Sequence, residues 1–221
     1  MNYITYKMKL QANNLWFTSD THYGHNNICR GVSNWLTNPD ADIEMTRDFL
    51  DVETMDNAIV NGINNSVGAD DWLVHLGDWS FGGFDKIQEF RERINCKNIV
   101  LMLGNHDHHI QNDKGRVRKL FSHVAHYEEL RVTNDKKPTN QFVLCHYPII
   151  SWNGMHHGVN MLHGHQHLKG ENRFGFGRRM DIGICGAPEF RPYHIEELLD
   201  ALQINVNNTL PDTRSNHPEL S

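Results

Sequence analysis

The sequence predicts an α/β domain, and three observations carry that expectation. Short apolar runs read as buried strands, as in Val100–Leu103. Between several of them lie stretches with apolar residues at helical spacing. Run after run then stops at a residue able to hold a metal: Asp20 and His22, Asp78, Asn105, His146, and finally His165 and His167. Successive strands with helical connections place such ends along one rim of a sheet. The 221 residues suffice for a single domain, expected over 1–204, with 205–221 a polar tail that frays.

Taken in order, Tyr3–Leu10 alternates, with Ile4, Tyr6, Met8 and Leu10 on one face, and predicts an edge strand. Asn14–Ser19 predicts a stronger strand that runs into Asp20–Thr21–His22, and a polar loop follows over Tyr23–Pro39. From Asp40 to Asn65, Ile43, Phe49 or Leu50, Met55, Ile59 and Ile63 recur at the spacing of an amphipathic helix or a pair of them. Asp71–Leu76 predicts a buried strand ending at Gly77–Asp78, and a glycine-bearing loop, Trp79–Gly83, leads to a helix over Phe84–Ile94. The strand Asn98–Leu103 stops at Gly104, where a missing side chain lets the chain turn sharply. A basic helix near Lys114–Phe121, a strand within Val124–Val132, a turn at Asp135–Pro138 and a strand over Gln141–Cys145 come next. Past a loop at Trp152–Gly158, the pattern gives strands over Val159–Leu162 and Met180–Ile184 and an amphipathic helix over Pro192–Leu202.

Composition narrows the function classes. With 38% hydrophobic and 22% charged residues and a net charge of -6, the chain reads as an ordinary soluble protein. No global positive field attracts nucleic acid, which is disfavoured as a partner, or an anionic membrane. Cys29, Cys96, Cys145 and Cys185 show no CxxC spacing and read as reduced thiols, and the first residues hold no apolar run fit for a signal or spanning segment. The expectation is a cytoplasmic protein. Histidine is the outlier, with 16 copies.

Several of those histidines sit where chemistry needs them. Asp20-x-His22 offers a carboxylate and an imidazole at one strand end, and His165-x-His167 two imidazoles at another. Asp78 has two oxygens and can bridge two cations, Asn105 adds a neutral oxygen, and His146 a further nitrogen. Mixed nitrogen and oxygen sets suit Mn²⁺, Fe, Zn²⁺ or Ni²⁺ better than Ca²⁺ or Mg²⁺, and the lack of cysteine ligands argues against a structural zinc. Each fragment alone is weak, since a DxH is commonly a surface loop and a GD commonly a turn. Their joint occurrence, each after an apolar run, carries the inference.

The order DxH–GD–GNHD–H–GHxH, from Asp20 to His167, resembles the signature of the calcineurin-like metallophosphoesterases. Thr18–Ile28 (TSDTHYGHNNI), His75–Gly82 (HLGDWSFG), His146–Gly158 (HYPIISWNGMHHG) and Leu162–His167 (LHGHQH) are similar to a small bacterial and phage group within it. That resemblance implies a four-layer αββα sandwich, two mixed sheets flanked by helices, with a two-metal centre at the strand ends. It implies that Asp20, His22 and His167 hold one divalent transition metal and Asn105, His146 and His165 the other, with Asp78 between them. Manganese is the first expectation, with iron, zinc or nickel as alternatives. A water held between two cations about 3.5–4 Å apart would lose its proton and attack phosphorus in line. His106 would serve the leaving group as acid or charge stabiliser, with Asp107 hydrogen-bonded to its other nitrogen. One departure from the family pattern is Tyr23, which intervenes between His22 and Gly24.

Blander readings stand beside these. His163 could replace His165 as a ligand; His75 reads as a core residue, and His25 could face the site. Arg178 and Arg179 read as a solvated face or a phosphate contact, and Trp79 and Trp152 as packing or base stacking. The expected substrate is a small phosphomonoester or phosphodiester, including nucleotides. A nuclease or cyclic-nucleotide phosphodiesterase on the same centre is the alternative, and a non-catalytic metal-binding module the competing class.

Overall fold

The computed structural model describes residues 7–11, 14–37, 46–113, 115–134 and 137–204. The first half of the chain holds β1 (Lys7–Gln11), β2 (Leu15–Thr18), α1 (Val52–Ser66), β3 (Trp72–His75), α2 (Phe84–Arg93), β4 (Asn98–Met102), α3 (His108–Gln111) and β5 (His123–Ala125). The second half holds β6 (Tyr127–Asn134), β7 (Lys137–Cys145), β8 (Asn160–His163), β9 (Phe174–Gly175), β10 (Arg179–Asp181), β11 (Tyr193–His194) and α4 (Ile195–Ile204).

These strands form two mixed sheets, a five-stranded one in the order β11-β2-β3-β4-β5 and a six-stranded one in the order β1-β6-β7-β8-β10-β9. In the first, β2 to β5 are parallel and β11 runs against β2. In the second, β7, β8 and β10 are parallel. The two edge strands β1 and β11 are exchanged: β1 pairs with β6, and β11 with β2, so each lies on the sheet built mainly by the other half.

The period-2 alternation of a strand sorts the core into layers. Phe17, Val74 and Val100 are in register and face the six-stranded sheet, where Leu130, Phe142, Leu144 and Leu162 meet them. Leu73, Ile99 and Leu101 face the other way, against Met55, Ile59 and Ile63 of α1 and Ile87 and Phe90 of α2. The α4 residues Ile195, Leu198 and Leu202 join the inter-sheet cluster. Beyond the six-stranded sheet, Val143 and Met161 are covered by Trp152 and Met155, in an irregular segment holding one 3₁₀ turn, Met155–His157. This is the α/β architecture of two mixed sheets with flanking helices that the resemblance implies. No helix of the described residues is long and apolar enough to cross a membrane.

Several elements differ from the sequence reading. The helix expected over Asp40–Asn65 begins at Val52, where the Asp51 side chain accepts the Thr54 amide at 2.7 Å as an N-cap. Arg47 instead pairs its backbone with Ile28 and Arg30, and residues 38–45 lie outside the described set. In place of the basic helix near Lys114–Phe121 there is a 3₁₀ turn, Arg118–Leu120, because the Asp113 carboxylate gathers the amides of Arg116, Val117 and Arg118. The strand expected within Val124–Val132 is two strands in different sheets. The strand expected over Met180–Ile184 is shorter, since Ile184–Gly186 forms a 3₁₀ turn. The reading of residues 3–6, the tip of the turn at 135–136 and the tail beyond Asn205 fall outside the described residues.

Candidate metal centre

The loops that leave β2, β3, β4, β7 and β8 converge at the rim shared by the two sheets. Five residues there hold a left-handed backbone that side chains disfavour: Asp20 (φ 57°), His22 (φ 49°), Asp78 (φ 56°), His165 (φ 73°) and His167 (φ 53°). Such a conformation costs about 1–2 kcal/mol per residue, so the surroundings must hold it in place. The Asp20 amide donates to the Gly77 carbonyl at 2.9 Å and the His22 amide to the Asp78 carbonyl at 3.0 Å. The buried guanidinium of Arg47 donates to the Asp20 and Thr21 carbonyls at 2.5 and 2.7 Å. Thr21 donates its hydroxyl to the Trp79 carbonyl at 2.7 Å and meets His75 Nε2 at 2.9 Å.

The side chains these loops present fall into two touching groups. In the first, His22 Nε2 lies 3.1 Å from His167 Nε2, and Asp20 Oδ1 lies 3.4 Å from His167 Nε2. In the second, Asn105 Oδ1 is 3.0 Å from both His146 Nε2 and His165 Nδ1. Asp78 stands between them, its Oδ2 at 3.4 Å from His22 Nε2 and 3.5 Å from His146 Nε2. Asp20, His22, Asp78 and His146 are all buried. His163, by contrast, directs Nδ1 to the Gly164 carbonyl at 2.9 Å and stays out of the cluster.

Electrostatics favours a cation in this arrangement. Burial alone would raise Asp20, yet contact with His167 and the nearby imidazoles of His146 and His22 hold it far below the usual carboxylate range. His22 is driven well below the ordinary histidine value by burial and by the facing His167. His167 resists burial through its bond to Asp20 and rises to about 10. The buried Asp20 carboxylate thus draws positive charge toward itself, which a divalent cation between these side chains would supply. The His146 tautomer is set as a ligand requires: its Nδ1–H donates to the Leu76 carbonyl at 2.8 Å, leaving the Nε2 lone pair aimed at Asn105 and Asp78. The donor set of imidazole, carboxylate and amide oxygen fits a divalent transition metal.

The corner Gly104–Asp107 works differently from the sequence reading. Asp107 does not orient His106. Its Oδ2 accepts the amides of Asp78 and Gly104, both at 2.8 Å, and its Oδ1 accepts the amide of Trp79 at 3.0 Å. This buried carboxylate ties the β3 and β4 ends together, because its two oxygens are taken up by three peptide N–H groups. Nor does Gly104 act through a left-handed turn: a Cβ there would stand 2.6 Å from the Asp78 amide and collide with the Asp78 carboxylate. The His106 amide donates to Asp78 Oδ1 at 2.9 Å, and its ring lies among His22, His25 and Phe81, with Nε2 4.0 Å from Asp78 Oδ2.

A family model described as calcineurin-like phosphoesterase matches residues 14–209. The chain belongs to this family. It is 30% identical to the gene 66 protein of Mycobacterium phage D29 over 176 residues, 71% of this chain and 79% of that protein. The gene 66 protein of Mycobacterium phage L5 is 28% identical over 176 residues, 70% of this chain and 77% of that one. A crystal structure of a protein of unknown function from Aquifex aeolicus shares the fold with a TM-score of 0.54 at 20% identity, covering 85% of this chain and 98% of that chain.

This calcineurin-like phosphoesterase also uses residues that the sequence did not single out. Arg47 clamps the first ligand loop and also donates Nε to Cys185 Sγ at 3.2 Å. Asp181, fully buried and pushed up to about 7 by that burial, accepts the Gly183 amide at 2.7 Å. Neither sits in a motif; Asp181 lies between the apolar Met180 and Ile182, which hints at burial, whereas Arg47 lies between Thr46 and Asp48 and carries no such signal. Tyr147 leaves its ring 46% exposed beside His146 and His165. Trp79 and Trp152 are buried packing residues, and Arg179 donates to the Ile149 carbonyl at 3.0 Å.

Proposed function

We propose that the chain is a two-metal phosphoester hydrolase acting on small phosphomonoesters or phosphodiesters. One observation carries this reading: Asp78 Oδ2 reaches both ligand groups, 3.4 Å from His22 and 3.5 Å from His146, as a bridging carboxylate must. Asp20, His22 and His167 would hold one cation and Asn105, His146 and His165 the other. Two such cations, manganese first among the candidates, would supply the Lewis acidity that acidifies a water and draws charge from the phosphoryl oxygens. The protein's own part is to hold these donors rigid and to place an acid. His106, partly exposed beside Asp78, offers Nε2 as the proton donor to the leaving oxygen. Its own amide fixes Asp78 Oδ1, so acid and bridge share one mount.

The test is hydrolysis of p-nitrophenyl phosphate and bis-p-nitrophenyl phosphate with Mn²⁺, alongside elemental analysis of bound metal. Asp78→Ala should abolish both turnover and tight binding of the second metal. His106→Ala should lower turnover by about 10²–10⁴-fold, the usual worth of a general acid, with both metals retained. His106 Nε2 is also close enough to His22 and Asp78 to serve as a ligand itself. If His106→Ala empties the site, the ligand assignment is wrong. A metal-loaded protein that turns over no phosphoester would leave the binding-module reading in its place.

A further inference from the structure

We propose that the cavity beside His106 is a leaving-group pocket and that it takes a nucleoside. The inference rests on the reading of His106 as the acid, since whatever leaves from that nitrogen must occupy this space.

The cavity, about 440 Å³ in volume, is bounded by Ser80, Phe81, Ile87, His106, His108 and His109 together with the bare backbone of Gly82 and Gly83. That volume lies within the range of small-molecule pockets, about 300–1,000 Å³. Three features define its occupant. No lysine or arginine lines it among the described residues, so a leaving group bearing a further phosphate would find no permanent cation there. Phe81 is 40% exposed, with one face stacked on His25 at 4.1 Å and 9°, which leaves the ring as a rigid platform next to His106. Ser80 is 6% exposed, and its hydroxyl has no hydrogen-bond partner. A buried hydroxyl without a partner is costly and calls for a ligand group to meet it. A neutral, planar group with an apolar face and a hydrogen-bonding edge satisfies all three conditions, and a nucleoside has both the base to stack and hydroxyls or ring nitrogens to reach Ser80. In the reaction the ester P–O bond breaks and its electron pair stays on the nucleoside oxygen, which takes the His106 Nε2 proton. The attacking water gives its oxygen to phosphorus and releases a proton to solvent, from which His106 regains the proton it gave up.

The experiment has a binding arm and a kinetic arm. Adenosine, which carries no phosphate, is titrated into the metal-loaded and metal-free protein and followed by ligand-observed NMR. Binding is expected in both, weakened at least tenfold in Phe81→Ala, weakened severalfold in Ser80→Ala and kept in Phe81→Trp. Should Phe81→Ala fail to fold, Ser80→Ala and Phe81→Trp decide the point. The kinetic arm compares kcat/KM for adenosine 5′-monophosphate and its methyl diester with glycerol 3-phosphate and its methyl diester, all esters of primary alcohols. A preference of at least tenfold for the adenosine esters, lost in Phe81→Ala, supports the proposal. If p-nitrophenyl esters are cleaved while adenosine neither binds nor confers a preference, the pocket assignment falls and the phosphoesterase reading stands. If phenol binds and adenosine does not, the nucleoside assignment is overturned. If adenosine binds and no ester is cleaved, the pocket stands and the catalytic reading falls.

Discussion

At the position of His165, φ is 73° and the side chain is exposed, so the Asn105 contact at 3.0 Å, the edge contacts with His146 and Tyr147 and the hydrogen bond from its amide to Asp20 are what reward the strained backbone. Glycine adopts this conformation without penalty. His165→Gly should therefore be more stable than His165→Ala by about 1 kcal/mol, while both lower affinity for the second metal. Denaturant melts of the metal-free variants check the first point and calorimetric titration the second; equal melts would remove strain as the explanation. His75 gives a residue-level pH dependence. Complete burial lowers it from the ordinary 6.5 to about 3, so the folded protein keeps it neutral while the unfolded chain protonates it. Its stabilising contribution is complete above pH 6.5 and is lost as the pH falls from 6.5 toward 3. Between pH 7.5 and 5 the loss should be about 2 kcal/mol, at 1.36 kcal/mol per pH unit below 6.5. His75→Gln should show a correspondingly smaller loss in urea melts with chelator present, and an identical loss would refute the assignment.

Where elements meet, the ligand loops are held by groups that hold no metal. Arg47 is buried, and its guanidinium satisfies two carbonyls of the Asp20–His22 turn. Arg47→Met leaves both carbonyls without a partner and should cost about 2–4 kcal/mol, with weaker binding at the first metal, measured by urea melts and metal titration. Gly104→Ala presses a methyl group into Asp78 and should weaken metal binding at least tenfold while circular dichroism shows the fold intact. Unchanged affinity would show that the turn can yield. These interlocks mark the boundary of what the sequence discloses. The ends of β2, β3, β4, β7 and β8 were legible because an apolar run followed by a ligand-type residue is a local signal. Arg47 was not, since its partners are backbone carbonyls that any sequence supplies. The role of Asp107 was misread because His106 adjoins it in the chain, whereas the amides that it accepts come in part from the end of β3, 28 or 29 residues away. The helix expected from Asp40 overran its true start because Phe49 supplies the right spacing from a non-helical segment that packs against the same core.

Across the whole molecule, the site is divided between the two sheets. Asp20, His22, Asp78, Asn105 and His106 follow strands of the five-stranded sheet, and His146, His165 and His167 follow strands of the six-stranded one. A bound metal should therefore stabilise the whole fold, by about 2.7 kcal/mol at a hundredfold excess over Kd, read as a rise in Tm on adding Mn²⁺ and its reversal by chelator. A Tm indifferent to Mn²⁺ would count against the proposed ligand set. The same division gives the exchanged strands β1 and β11 a meaning beyond sheet completion. Each crosses the seam and fastens to the opposite half, so the molecule is laced at both edges as well as riveted at its rim. Lacing of this kind lets a change far from any ligand slacken the grip on the metals: peeling β1 from β6 or β11 from β2 would widen the joint on which the donor atoms must agree to within a fraction of an ångström.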